Sequence, residues 1–249
     1  MLRIMRNGAV AALLSATVLA FSWGAQAGDK SPTVVELFTS QGCSSCPPAD
    51  AILGQLSGRA DLITLTFNVD YWDYLGWKDT LASPRYTERQ RSYAREMRSR
   101  TVYTPQVVIG GRTHAVGSNW REISKEIGED QQRSDGRVEV SFKSKGDMLL
   151  LNIADGEISG EATIWLVRFD KRHDIEVARG ENAGSKLSYF NVVREIRDLG
   201  LWRGKAMEIA LDNEALSEGG RDGCAVLVQK DRFGPIIGAA VMKWSQGKT

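Results

Sequence analysis

Cys43-Ser44-Ser45-Cys46 carries the clearest chemistry in the chain. Two thiols at this spacing can close a disulfide, exchange it with another, or supply half of a tetrahedral zinc site. The zinc reading lacks its other half: the remaining soft or borderline ligands are Cys224, His114 and His173, and none forms a second closely spaced pair. Flanking residues place the thiols at a helix start. Thr33 to Thr39 is β-branched and aromatic enough to be a buried strand, and Ala49, Ile52, Leu53 and Leu56 recur at helical spacing. Pro47 and Pro48 lack amide hydrogens, which costs little in a first turn. A helix N-terminus favours negative charge and so stabilises a thiolate. Cys43 is expected to be the exposed, attacking thiol and Cys46, one turn inward, the resolving one. The bland counterpart is a permanent disulfide that closes a short loop.

The elements that must position this pair alternate between strand and helix. Leu62 to Phe67 reads as a second strand and Ser83 to Arg100 as a helix. Tyr103-Thr104-Pro105-Gln106 leads into the β-branched run Val107 to Ile109, and a proline there belongs at the strand's entrance, because it cannot donate within a ladder. Gly110-Gly111 reads as a hairpin turn into Arg112 to Val116, before a helix from Trp120 to about Gln131. Past Ser134-Asp135-Gly136 the pattern changes to short β runs at Val138 to Phe142, Met148 to Ile153, Ala162 to Phe169, Ala206 to Leu211, Ala225 to Val228 and Ile236 to Met242. The expectation is an α/β domain over 28–134 and a mostly β, sandwich-like domain over 135–249.

A strand, a CxxC pair opening a helix, and later Thr-Pro before a strand resemble the thioredoxin fold. The resemblance implies that Pro105 is cis and faces the cysteine pair, with Thr104 as backbone contact for an extended substrate. Glu36 approximates the position of the buried carboxylate that serves the inner thiol in that fold. It is therefore a candidate base for Cys46, the alternative being a solvent-facing strand residue. Gly42 stands where those proteins carry a bulky aromatic residue, which implies a more open approach to Cys43. More narrowly, the segments Leu37 to Asp50, Val69 to Trp77, Tyr103 to Gln106, Ala178 to Asn182 and Asn191 to Arg194 resemble the secreted bacterial family called domain of unknown function 1223. That family implies a thioredoxin-like domain in the bacterial envelope and supplies no reaction.

Asp70-Tyr71-Trp72-Asp73-Tyr74-Leu75-Gly76-Trp77-Lys78-Asp79 follows the second strand and belongs at the edge that bears the cysteines. Tyr71, Trp72 and Trp77 can grip a peptide substrate, or can pack as a seam between the two halves. Asp70 and Asp73 alone are too few oxygens for a cation site. The helix after Ser83 is rich in arginine, including Arg85, Arg89, Arg91 and Arg95, and reads as a solvated basic face with an apolar seam of Tyr86, Tyr93 and Met97. His114 and His173 read as surface or locally bonded, His173 in a charged connection. A copper-handling protein would use the cysteines with one histidine, and this is the alternative to redox exchange, although such proteins space their cysteines by three residues. Cys224 reads as a buried free thiol in a strand, or as a third thiol that reaches the pair.

Composition excludes several classes. The 249 residues include only three cysteines, 42% hydrophobic and 25% charged residues, with a net charge of +1. This is neither a disulfide scaffold nor a polyelectrolyte, and it lacks the basic surplus that nucleic acid requires. Arg3 and Arg6 precede an apolar run from Ala9 to Phe21, followed by Ala25-Gln26-Ala27. The run is too short to span a bilayer and reads as an export signal over 1–27, the rival being an uncleaved anchor. Export to the periplasm or beyond exposes the cysteines to oxidising conditions. The expected function is thiol-disulfide exchange with envelope protein thiols or disulfides and a redox partner, with no cofactor other than the Cys43–Cys46 disulfide itself. A noncatalytic interaction protein with a static disulfide is the rival from another class.

Overall fold

The computed structural model describes residues 31–134 and 136–244. The export signal expected over 1–27 lies outside them. Strand β1 (Thr33–Thr39) is buried along its whole length and leads through the cysteine pair into helix α1 (Pro47–Leu56). Strand β2 (Leu62–Asn68) returns parallel to β1, with Thr33 opposite Leu62 and Thr39 opposite Asn68. Both strands therefore release their following loops at one sheet edge, and this brings the cysteines and the aromatic segment after β2 together. Helix α2 (Pro84–Glu96) begins on Ser83, whose hydroxyl accepts from the Arg85 amide. Strand β3 (Gln106–Ile109) pairs antiparallel with β1, turns through Gly110 and Gly111, both left-handed, into β4 (Thr113–Val116), and is followed by helix α3 (Trp120–Gln132).

Alternation along β1 decides which helix meets which face. Val35 and Leu37 pack with Leu53 of α1 and Ile123 of α3, whereas Val34 and Phe38 pack on the other face with Tyr86 and Tyr93 of α2. Glu36 shares the second face.

The second half supplies β5 (Val140–Lys145), β6 (Met148–Ile153), β7 (Ala162–Glu176), β8 (Lys186–Trp202), β9 (Met207–Asp212), a short helix α4 (Asn213–Ser217), β10 (Gly223–Lys230) and β11 (Ile236–Lys243). Each of the expected β runs falls on a strand. Two features differ from expectation. β8 is a long strand where none was expected, and β7 continues through Asp170 to Glu176, so His173 lies in a strand and not in a connection.

Strand β8 ties the halves together. The main sheet runs β11-β10-β7-β8-β2-β1-β3-β4, a mixed sheet that contains strands from both sides of residue 135. Thr66 of β2 stands opposite Val192 of β8 in parallel register. Beside it Asn191, at φ 46°, donates its side-chain amide to the Thr64 carbonyl at 3.0 Å and hydroxyl at 2.9 Å. Asparagine tolerates this left-handed conformation better than most residues. The edge of β2 is thereby paired rather than left open to other chains. One core then crosses the join, with Phe38, Phe67 and Tyr93 packed among Trp165, Val193 and Leu227. On the opposite face of β7 and β10, the separate antiparallel sheet β5-β6-β9 packs through Leu149 and Leu151 against Leu166, Val226 and Val228. Among the described residues no helix is long and apolar enough to cross a membrane.

Candidate functional site

Cys43 and Cys46 form a disulfide, their Cα atoms 5.4 Å apart. Cys46 is the N-cap of α1, and its carbonyl accepts from the Ala49 and Asp50 amides at 2.9 and 3.1 Å. The Thr104–Pro105 peptide is cis and immediately precedes Gln106, which pairs with Phe38 at the end of β1. Gly117 holds this proline close to α1: a Cβ there would stand 2.9 Å from both the Pro105 Cβ and the Ala49 Cβ. The structure thus brings together Cys43, Cys46, Thr104 and Pro105.

The pair is covered, contrary to the expectation of an exposed Cys43. Both cysteines have no exposed surface. On one side, Trp72 fills the space that Gly42 leaves, since a Cβ on Gly42 would meet the Trp72 Cβ at 3.0 Å. Its indole donates to the Thr104 hydroxyl at 2.7 Å, so Trp72 spans from the cysteine loop to the cis-proline loop. The glycine therefore admits a tryptophan from a distant segment and does not open the approach. On the other side, the loop between β7 and β8 reaches over from the second half. Asn182 donates to the Gln41 and Cys43 carbonyls at 2.9 and 3.0 Å, and Glu181 accepts from the Ser44 amide at 3.4 Å. Ser44 and Ser45 remain exposed between these covers.

The aromatic segment serves in part as the expected seam between the halves. Trp77 packs with Val177 and Leu187 of the second half and donates its indole to Gln41 at 2.8 Å, which makes it part of a seam. Tyr71 packs partly buried against the main core and donates to Gln90 at 3.2 Å. Trp72 is held against the cis-proline loop by its bond to Thr104.

Glu36 is neither solvent-facing nor placed to serve Cys46. It lies on the α2 face of β1, across the sheet from α1, and is wholly buried. One of its oxygens accepts from Arg89 Nε at 2.8 Å and the other from the Tyr93 hydroxyl. Arg89 in turn donates to Gln229 of β10, and its guanidinium lies 5.0 Å from the Tyr93 ring centre and 5.6 Å from that of Trp165. Arg89 is thus the exception on the basic helix. It turns inward with its charge balanced by Glu36.

A buried carboxyl that the sequence reading passed over, Asp50, lies one turn along α1 from Cys46. Its amide bonds to the Cys46 carbonyl, and residues four apart on a helix share a face. Asp50 is buried, and neither carboxyl oxygen has a partner of full hydrogen-bond geometry among the described residues. Burial holds its pKa well above the usual carboxylate range; Thr39 pulls the other way and the charge of Asp79 adds to the rise. The Tyr189 hydroxyl, pushed up by burial and by these two carboxyls, also has no hydrogen-bond partner among the described residues. Asp79 differs because it is fully bonded. It accepts from the Gln41 amide at 2.8 Å, Asn68 at 3.0 Å and the Leu81 amide at 2.8 Å, and so pins the cysteine loop. A signal for Asp50 was present in the sequence: it sits between Ala49 and Leu53 on the apolar stripe of α1, where a charge needs a reason.

Cys224 is free, buried between the two sheets with Leu166 and Val226, and its thiol is pushed up to about 12 by burial. Strands β7, β8 and β2 lie between β10 and β1. Four strand spacings amount to roughly 19 Å, so the buried-thiol reading fits and a direct link to the pair does not. His114 meets the Tyr103 hydroxyl at 2.9 Å and His173 meets Asp170 at 2.7 Å. No group of three or more His, Cys, Asp or Glu among the described residues is arranged to hold a metal ion.

Comparison with known proteins agrees with the family named by the motifs. A family model described as "Protein of unknown function (DUF1223)" matches residues 34–229. The crystal structure of protein AGR_C_4864 from Agrobacterium tumefaciens is similar at 35% identity with a TM-score of 0.77, covering 88% of this chain and 97% of that one. No curated protein matches the chain. The match runs from β1 to the end of β10 and so takes in the cysteine pair, the cis-proline loop and the Asn182 cover alike; the chain belongs to the DUF1223 family.

Proposed function

We propose that this chain is a thioredoxin-like protein of the bacterial envelope that exchanges disulfides with protein thiols through Cys43 and Cys46. The observation that carries the reading is a disulfide at the N-terminus of α1 beside a cis Thr104–Pro105 peptide. In the oxidising direction, a substrate thiolate attacks Cys43 Sγ, the Cys43–Cys46 bond breaks, and Cys46 leaves as a thiolate that takes up a proton. A second substrate thiolate then attacks the substrate sulfur of the mixed disulfide and releases Cys43 as a thiolate. The substrate has lost two electrons and the pair has gained them. The same steps reversed reduce a substrate disulfide.

Cys46→Ser tests this directly. Reduced Cys46→Ser protein is expected to retain mixed disulfides between Cys43 and envelope proteins, visible as reducible adducts by mass spectrometry. A wild-type pair that resists reduction, with no adducts in the variant, would leave a static structural disulfide.

The cover over the pair has to move for exchange to occur, and the Asn182 hydrogen bonds oppose that movement. Removing two such bonds is worth about 1–3 kcal/mol, so Asn182→Ala is expected to raise the rate of Cys43–Cys46 reduction by dithiothreitol about 5- to 150-fold. An unchanged rate would mean that access is not limited by this loop.

A further inference from the structure

On the α2 face of the sheet, away from the cysteines, a cavity of about 390 Å³ lies where both halves of the chain meet. Its size falls within the range of small-molecule sites, and junctions between units are where such sites concentrate. Trp165, Ile196 and Phe233 give it apolar walls, the two aromatic rings 5.8 Å apart and tilted by 32°.

Its polar groups are unequally satisfied. Arg89 contributes to the lining with only 3% of its surface exposed. Its Nε is committed to Glu36 and its Nη2 to Tyr93 and Gln229, whereas Nη1 has no partner among the described residues. Arg85 and Arg197 stand exposed at the rim, Arg197 with its Nε 3.8 Å from a Glu195 oxygen and its other nitrogens in no hydrogen bond among the described residues. The two carboxylates of the lining are each engaged, Glu88 with Arg95 and Asp198 with Arg232. The free polarity is therefore that of a cation.

The turn that closes the cavity is itself unusual. Asp231 and Arg232 are both left-handed, at φ 48° and 67°, a conformation that residues with a side chain rarely adopt and that tends to persist at binding sites. It sets the Arg232 guanidinium 5.2 Å from the Trp165 ring centre and leaves Phe233 against Trp165.

From the unpartnered buried guanidinium, the basic rim and the aromatic walls, we propose that this cavity binds a small carboxylate with a flat aromatic body. The rim guanidinium groups of Arg85 and Arg197 take the carboxylate, and the ring lies against the Trp165 and Phe233 walls.

The test titrates the full chain with 3-phenylpropionate and with 3-phenylpropanamide, which has the same shape without the charge. The readout is the Trp165 indole N–H resonance, identified by its loss in Trp165→Phe. The acid is expected to shift that resonance saturably and to bind about tenfold more tightly than the amide, the scale of a charge-assisted hydrogen bond. Arg85→Gln/Arg197→Gln, which changes only exposed side chains, is expected to weaken the acid and leave the amide unchanged. No saturable shift, equal affinity for acid and amide, or undiminished acid binding in the double variant would overturn the proposal. Because Cys43→Ser/Cys46→Ser is expected to bind the acid normally, the result stands apart from the disulfide chemistry.

Discussion

Glu36→Gln is expected to destabilise the protein by about 3–5 kcal/mol, because it leaves the Arg89 charge buried without a counter-ion. Arg89 is 3% exposed and Glu36 wholly buried. Desolvation pulls the Arg89 pKa down, but Glu36 and Tyr93 raise it by more, so the guanidinium remains charged throughout the working pH range. Arg89→Met should cost as much from the other side. The double variant should recover most of the loss, since two neutral groups of similar volume carry no uncompensated charge. Urea midpoints of the three variants measure this, and a Glu36→Gln protein within 1 kcal/mol of wild type would sink the account. The same variant separates the two roles of Glu36. Its folded fraction should resolve a Cys43 mixed disulfide at the wild-type rate, whereas slowed release would return Glu36 to the part of a base for Cys46.

Glu36 and Arg89 also show where the sequence was legible and where it was not. β1, α1, β2, the α2 cap and the proline before β3 follow from local signals: β-branched runs, helical spacing, Ser83-Pro84 and a proline that cannot join a ladder. Read alone, a glutamate in a strand becomes a candidate base and an arginine on a basic helix becomes a solvated charge. Their partnership across 53 residues exists only once α2 lies on β1. Nothing in either segment's period encodes it.

β8 was hidden for a related reason. Its stretch from Arg194 to Asp198 carries two pairs of adjacent charges around Ile196, which breaks the alternation of a half-buried strand, and the strand is held by β7 and by a single parallel pair with β2. The cover over the cysteines was half legible. Ala178 to Asn182 stood out as a motif, yet its task depends on the cysteine loop, 139 residues away from Asn182 in sequence. The cysteine loop alone suggested an open approach, because glycine leaves a space. The folded chain fills that space with Trp72.

Asp50→Asn is expected to slow exchange and to stabilise the fold at neutral pH, two effects of one buried carboxyl. With its pKa well above the ordinary value, folded Asp50 keeps a proton that the unfolded chain releases above about pH 4. Between that pH and the folded pKa the unfolded state binds fewer protons, so this group lowers stability by about 1.4 kcal/mol per pH unit as pH rises; below pH 4 the penalty vanishes. Asparagine does not titrate, and its carbonyl oxygen can still accept from Thr39 as the carboxyl does. The variant should therefore match wild type near pH 3 and exceed it at pH 7. Asp79, also raised by burial, keeps its own share of the slope in both proteins. In exchange, a protonated Asp50 one turn from Cys46 can give its proton to the departing thiolate and reclaim it when Cys46 attacks. Losing such a group slows proton transfer by about 10²–10⁴-fold. Stopped-flow resolution of a Cys43 mixed disulfide across pH, beside melts of the same samples, measures both effects. A stabilised variant with wild-type resolution rates would make Asp50 a buried charge without a part in the chemistry, and a variant unchanged in both would remove it from the site altogether.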